Sequence, residues 1–338
     1  MGPGSATRRD GNHVIGLVGD FGGSNARFAV AATDGDGGLT LSAEQDLVTS
    51  AYPDVVTAAR HFMGQQRIGP VTAACFAIAG PVTGDRVELT NARWRFSIAE
   101  SEAALGLRRL NVVNDFSALA LSLPYLRGGD LEQMGGGEAT AGEAKAVIGP
   151  GTGLGVSGLV WSGRAWIPLK SEGGHATFSP ANERELDIAR ILGRRYGHLS
   201  WERVLSGGGL VNIYEALAEL ADRKGATLTP PEITTRALSG SDDLCRKAVE
   251  MFCNTLGTAA GNLALILGAR GGVYVGGGIV PRLVPFLRQS EFRARFEDKG
   301  RLADYVRGIP TYVILREHAG LLGAAAALAQ DEINDKGG

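Results

Sequence analysis

Two stretches of this chain share a design that restricts its fold more than any other feature of the sequence. "VIGLVGDFGGSNARFAVAA", from Val14 to Ala32, and "AVIGPGTGLGVSGLVW", from Ala146 to Trp161, each run from an apolar, β-rich segment through a glycine turn into a second apolar segment. Consecutive backbone N–H groups in such a turn form an anion-binding concavity, and Ser24 or Thr152 adds a hydroxyl donor. One such hairpin in each half of the chain predicts a duplicated architecture. A third glycine run, Gly276 to Gly278, ends another short apolar segment. For either turn taken alone, a hairpin simply rich in Gly and Asp remains the plain alternative.

The segments between these turns fill in the fold class. The spacing predicts a helix around Val55 to Met63, a strand over Thr72 to Ala79, and a short strand at Asn111 to Val113 that ends on Asn114 and Asp115. Leu244, Ala248, Phe252, Leu256, Ala260, Leu263 and Leu267 fall on helical spacing, so one long amphipathic helix is expected, closing at Gly268. Arg127 to Lys145 is polar and reads as a surface loop or linker. Mixed strands and helices, with hairpins and crossovers, point to an α/β protein. At 338 residues and 44% hydrophobic, the chain is long enough for one large or two medium domains, and two are expected. Its 50 glycines are about double the usual ~7%, yet they cluster at the ends of apolar runs without a period, which excludes a collagen-like or low-complexity chain.

Charge and cysteine usage narrow the partners. A net charge of −2 and the lack of a dense Lys/Arg block argue against nucleic acid or an anionic membrane as partner. Cys75, Cys245 and Cys253 lack metal-ligand spacing and read as buried thiols of a reducing, cytoplasmic compartment. No apolar run is long enough for a signal core or a membrane span. Met1 to Ser5 has the look of an expression-vector remnant and carries no folding information.

Three nucleotide motifs fail. "GLGVSG", residues 153 to 158, fits the G-x-G-x-x-G dinucleotide pattern, but its glycines run into Val156, Leu159, Val160 and Trp161, where a strand and not a helix is expected. "DFG" at 20 to 22 lacks the other protein-kinase motifs, and a Walker A sequence is absent. What remains is a phosphate clamp made of hairpin turns. Asp20, at the tip of the first strand, repels a phosphate but suits Mg²⁺, commonly through water.

The polar candidates are individually ambiguous. Asp115 stands before the helix-like "FSALALSL" and is either a helix N-cap or a general base at a strand tip. Glu172 and His175 lie in "SEGGH"; the intervening glycines disfavour a helix and hence a metal-binding E-x-x-H, so a loop turning both side chains inward is expected, with His175 as a hydrogen-bonding group for a polar ligand. Glu202 follows Ser200, a natural N-cap, and the helix dipole alone would explain it. Asn91 in "LTNARW" is an ordinary turn residue by itself.

In order, "GDFGGSNARF", "AIAGPVTGD", "TNARW", "VVNDF", "GPGTGLG", "EGGH", "HLSWERVLSGGGLVNIY", "GGVYVGGGIVPR", "FEDKGR" and "GLLGAA" span nearly the whole chain. The set resembles the bacterial-type glucokinases, of the hexokinase branch of the actin-like ATPase superfamily. The resemblance implies a two-domain actin-like ATPase (ribonuclease H-like) fold with an interdomain cleft: residues 1–122 plus 316–338 as the smaller domain and 123–315 as the larger. It implies ATP-dependent phosphorylation of D-glucose at its 6-hydroxyl, the first step of glycolysis, with Mg²⁺, in a cytoplasmic homodimer.

Residue by residue, the resemblance makes Asp115 the base. Asn91, Asn114, Glu172, His175 and Glu202 would hold the other sugar hydroxyls. Asp20, Gly22, Gly23, Ser24 and Asn25 would form the first phosphate turn, with Asp20 near the metal. Gly151, Thr152 and Gly153 would form the second, and Gly277 and Gly278 would lie against adenosine. Ser24 replaces the family's usual Thr and keeps the hydroxyl, so altered affinity rather than lost activity is expected. Two rivals are weaker. A sugar-sensing regulator of related fold would carry a cysteine-rich zinc motif, which is missing. A chaperone or filament ATPase would have no use for the sugar-binding residues.

Overall fold

A computed structural model describes residues 13–34, 37–89, 93–223 and 226–336. The chain divides into two compact units, the first comprising residues up to Arg127, Arg164–Lys170 and those from Arg316, the second Gly128–Gly163 and Ser171–Leu315.

The first unit is built on β1 (His13–Phe21), β2 (Asn25–Thr33), β3 (Leu39–Val48), α1 (Val55–Gln65), β4 (Ala73–Ile78), β5 (Arg86–Glu88), β6 (Arg95–Ser97), α2 (Ile98–Leu105), β7 (Arg109–Asn114) and α3 (Asp115–Ser122). Its main sheet runs β3-β2-β1-β4-β7. The three leading strands are antiparallel and the crossovers to β4 and β7 are parallel. Alternation along the strands sends side chains to both faces, and both are covered. One face carries a cluster of Phe21, Phe28, Phe62, Phe76 and Trp94, with the Phe21 and Phe28 rings 5.0 Å apart. The other carries smaller residues, Ile15, Val18, Ala29 and Cys75.

In the second unit, β8 (Leu131–Gly135), β9 (Lys145–Pro150) and β10 (Leu154–Trp161) come first. The short β11 (Trp166–Leu169) goes with the first unit, where it packs on α3. Then follow α4 (Glu183–Tyr196), α5 (Gly207–Leu220), α6 (Pro230–Ser239), α7 (Asp243–Leu267), β12 (Val273–Val275), α8 (Val284–Gln289), α9 (Phe292–Glu297), α10 (Ala303–Arg307) and β13 (Thr311–Ile314). Within this unit the strands order β10-β9-β12-β13-β8. The two sheets repeat one plan: a glycine-turn hairpin, then two parallel strands added beside its first strand. The segment expected as a loop at 127–145 contains β8, which closes the sheet edge by pairing antiparallel with β13.

The long helix expected from periodicity is α7. Asp242 caps its start by accepting from Leu244 and Cys245, and Gly268 at φ +58° ends it. Leu244, Ala248, Phe252, Leu256 and Ala260 are all buried in the second core. Each fully buried large apolar side chain there contributes about 1.5–3 kcal/mol.

The last helix, α11 (Ala319–Lys336), returns to the first unit. Leu321, Ala324, Ala325 and Leu328 cover the small-residue face of the sheet. Alanines keep this helix close to its neighbours, and at Gly323 any Cβ would run into the Ala118 carbonyl of α3.

Candidate active site

In the first unit, Asp20 is the penultimate residue of β1 and pairs in register with Arg27 of β2. Arg27 Nε in turn donates to Asp46 Oδ2 at 3.3 Å. Burial pushes the Asp20 carboxyl up from its ordinary 3.8, while the charges of Arg27 and His318 pull it back. The β1–β2 turn is tight, with Gly22 N–H donating to the Asn25 carbonyl at 2.9 Å. It is braced from outside by Thr49, whose N–H donates to Ser24 O and whose hydroxyl donates to Gly23 O, both at 3.0 Å. Ser24 and Asn25 are left exposed.

Of the two roles open to Asp115, that of helix N-cap falls to its neighbour. Asn114 is the N-cap of α3: its Oδ1 accepts the Phe116 and Ser117 N–H groups at 3.0 and 3.2 Å, and its Nδ2 donates to Gly80 O at 3.1 Å. Asp115 is the first residue of the helix proper, with Oδ1 2.9 Å from the Phe116 nitrogen. Asn114 keeps one amide N–H for a ligand. Asn91 lies outside the described residues.

In the second unit, β9 and β10 close their turn between Pro150 and Leu154, and Gly151 N–H donates to Gly153 O at 2.8 Å. Thr152 stands exposed at its tip. "GLGVSG" therefore starts a strand, as expected. The 276–278 loop lies directly on this hairpin. Gly276 N–H donates to Ile148 O at 2.9 Å, and Gly277, at φ +82°, passes so close to Pro150 O that only glycine fits there. Gly278 faces open space.

Glu172 precedes, and His175 ends, a 3₁₀ turn, Gly173–His175. Both are exposed, where the sequence reading turned them inward. The anchor is instead Gly174, buried against Leu154, so the turn's backbone packs inward and its side chains stay outside. Glu202 lies in a second 3₁₀ turn, Trp201–Arg203, with Oε2 accepting the Leu154 N–H at 3.0 Å. Ser200 makes no side-chain cap; the helix that follows is α5, and its cap is Ser206. An expected helix start six residues too early is the kind of error that a 3₁₀ turn ahead of an α-helix produces.

Among the described residues no cluster of three or more His, Cys, Asp or Glu side chains could hold a metal by itself. A single carboxylate beside a phosphate turn fits Mg²⁺, which keeps several waters and binds through one or two carboxylates plus substrate phosphates. Asp20, near the end of β1, is the carboxylate that could take that part. Sequence reasoning missed His318, just before α11, and Gly320 in its first turn, which both act on Asp20, and Gly80, the acceptor for Asn114. "GLLGAA" held the signal for Gly320 and Gly323, two glycines one helical turn apart.

The glucokinase family profile matches residues 17–331. The chain belongs to the glucokinase family. It is 51% identical over 315 residues to the glucokinase of Chromobacterium violaceum, covering 93% of this chain and 89% of that one. The crystal structure of a glucokinase from an Antarctic psychrotroph superposes with a TM-score of 0.87 at 35% identity, covering 92% and 98% of the two chains. A ROK family glucokinase of Streptomyces griseus, solved with glucose and AMPPNP, shares the fold at a TM-score of 0.62 and 21% identity, covering 94% and 99%. Family membership makes this chain an ATP-dependent sugar kinase that phosphorylates glucose. None of the described helices is long and apolar enough to cross a membrane.

Proposed function

We propose that Asp115 is the general base that takes the proton of the glucose 6-hydroxyl as that oxygen attacks the γ-phosphorus of ATP. The observation that carries this assignment is the division of labour at the start of α3, where Asn114 caps the helix and Asp115 is not required as its cap. The remaining roles follow the ordered motifs. Asn91, Asn114, Glu172, His175 and Glu202 orient the sugar; Gly22 to Asn25 and Gly151 to Gly153 hold the phosphates; Gly277 and Gly278 give adenosine a flat backbone surface. Asp20 holds Mg²⁺, which when bound neutralises charge on the phosphates.

Phosphoryl transfer depends mainly on positioning and charge neutralisation. The braced turns supply the first, because Thr49 and the 276–278 loop leave each hairpin little freedom. The base adds about 10² to 10⁴-fold. An interdomain cleft, glycolysis, a cytoplasmic location and a homodimer accompany this reading, supported by the family resemblance.

The test is ADP formation from MgATP against a panel of hexoses. Turnover that requires glucose and yields glucose 6-phosphate supports the reading. ATP hydrolysis indifferent to sugar would overturn it.

A further inference from the structure

Glu202 belongs to a closed ring of contacts inside the second unit. Its Oε2 accepts the N–H of Leu154, the residue that leaves the glycine turn, at 3.0 Å. Its own carbonyl oxygen accepts the Ser206 hydroxyl at 2.8 Å. Ser206 caps α5 by accepting the Gly209 N–H at 2.9 Å, and the adjoining Gly207 N–H donates to the Gly151 carbonyl at 2.8 Å. Within the turn, Gly151 N–H reaches Gly153 O at 2.8 Å. Gly153 leaves no space between turn and carboxylate, since a Cβ there would stand 2.5 Å from Glu202 Oε2.

Carboxylate and turn therefore fix each other. A turn that presents N–H groups to a phosphate stabilises it in proportion to how well those donors are held beforehand. Removing the carboxylate takes away both the partner of the Leu154 N–H and the surface on which Gly153 rests. Among the described residues, none donates to the other carboxylate oxygen, Oε1, which leaves an acceptor for a ligand hydroxyl.

We propose that Glu202 is a positioning residue for the nucleotide as well as a sugar ligand, and that it couples the two. Oε2 holds the second phosphate turn and Oε1 takes a sugar hydroxyl, so occupancy on one side restrains the other. The coupling is reciprocal: glucose tightens nucleotide binding by the factor by which nucleotide tightens glucose binding. The sugar half rests on the glucokinase reading, whereas the nucleotide half rests on the ring of contacts alone.

The experiment is calorimetric titration of the full chain with Mg·AMPPNP, first without sugar, for the wild type, Glu202→Ala, Glu202→Gln and Ser206→Ala. Without sugar, Glu202→Ala binds Mg·AMPPNP about tenfold more weakly, the scale of one lost hydrogen bond. Glu202→Gln stays near wild type, because an amide oxygen still accepts the Leu154 N–H. Ser206→Ala weakens the nucleotide while leaving glucose affinity, measured without nucleotide, unchanged. Wild-type nucleotide affinity in Glu202→Ala overturns the proposal. So does a Gln variant as weak as the Ala variant, which would assign the effect to charge and not to the tie. If Glu202→Ala fails to fold, the Gln and Ser206 variants decide. Absence of glucose-dependent ADP formation in the wild type would sink the kinase reading and leave the sugar-free measurements standing.

Discussion

The carboxylate of Asp20 lies against Gly320 in the first turn of α11, where a Cβ would stand 2.7 Å from Oδ2. One turn further along, Gly323 faces the Ala118 carbonyl of α3, the helix that begins at Asp115. A single helix thus sets the places of both the carboxylate proposed for the metal and the carboxylate proposed as base.

Gly320→Ala is expected to displace the Asp20 carboxylate and to raise the Mg²⁺ concentration needed for half-maximal turnover several-fold, roughly one weakened ligand contact. A Mg²⁺ titration at saturating glucose and ATP checks it; an unchanged midpoint would separate Asp20 from the metal. Gly323→Ala acts on packing instead and is expected to cost about 1–3 kcal/mol of stability, visible as a lower Tm.

Asp115→Ala is expected to lower kcat by at least about 10²-fold while glucose binding stays measurable. Steady-state kinetics paired with calorimetry of glucose binding separates the two effects. Near-normal turnover in this variant would remove Asp115 from the role of base.

The second unit holds a buried ion pair, Arg295 Nη2 to Glu185 Oε1 at 2.8 Å, with side chains only 12% and 3% exposed. Glu185 also accepts from the Ala181 N–H and from Asn182 at the start of α4. Arg295→Met strands a buried carboxylate and is expected to cost about 3–5 kcal/mol. Denaturant unfolding measures it, and adding Glu185→Gln to that variant should restore part of the loss.

Burial pushes the thiols of Cys75, Cys245 and Cys253 above their ordinary 9.0. The folded chain then holds these protons more tightly than the unfolded chain, so their contribution to stability is intact below pH 9.0 and is lost as the pH rises past it. A thiol reagent at pH 8 should label none of the three until denaturant is added, and Tm should fall as the solution is made alkaline. Rapid labelling of the native protein would contradict the burial.

Elements with a strong local signal were legible in the sequence. The 3.6-residue period of α7 and the two glycine hairpins reappear with their caps and registers. Contacts made by backbone at long range were not. Gly323 reads as a helix-weakening residue until α3 is seen packed on it, and Gly174 reads as a loop residue until Leu154 is found against it. Which of the two adjacent polar side chains, Asn114 or Asp115, caps α3 was not legible either. That depends on the backbone angles of Asn114, and no spacing rule encodes them. The exposure of Glu172 and His175 was missed for the same reason, since the glycines between them, and not their side chains, anchor the turn.

The covering of the β1–β2 sheet by α11 has a consequence for the order of events on the ribosome. Strands with Ile15, Val18 and Ala29 on one face are translated first, and the helix bearing Leu321, Ala325 and Leu328 emerges only after the whole second unit. A nascent chain therefore carries a bare apolar face throughout most of its synthesis, a state that invites aggregation or a holding chaperone. The second unit has all its strands and helices out of the exit tunnel earlier, so it is the part placed to fold while the first still waits for its closing helix.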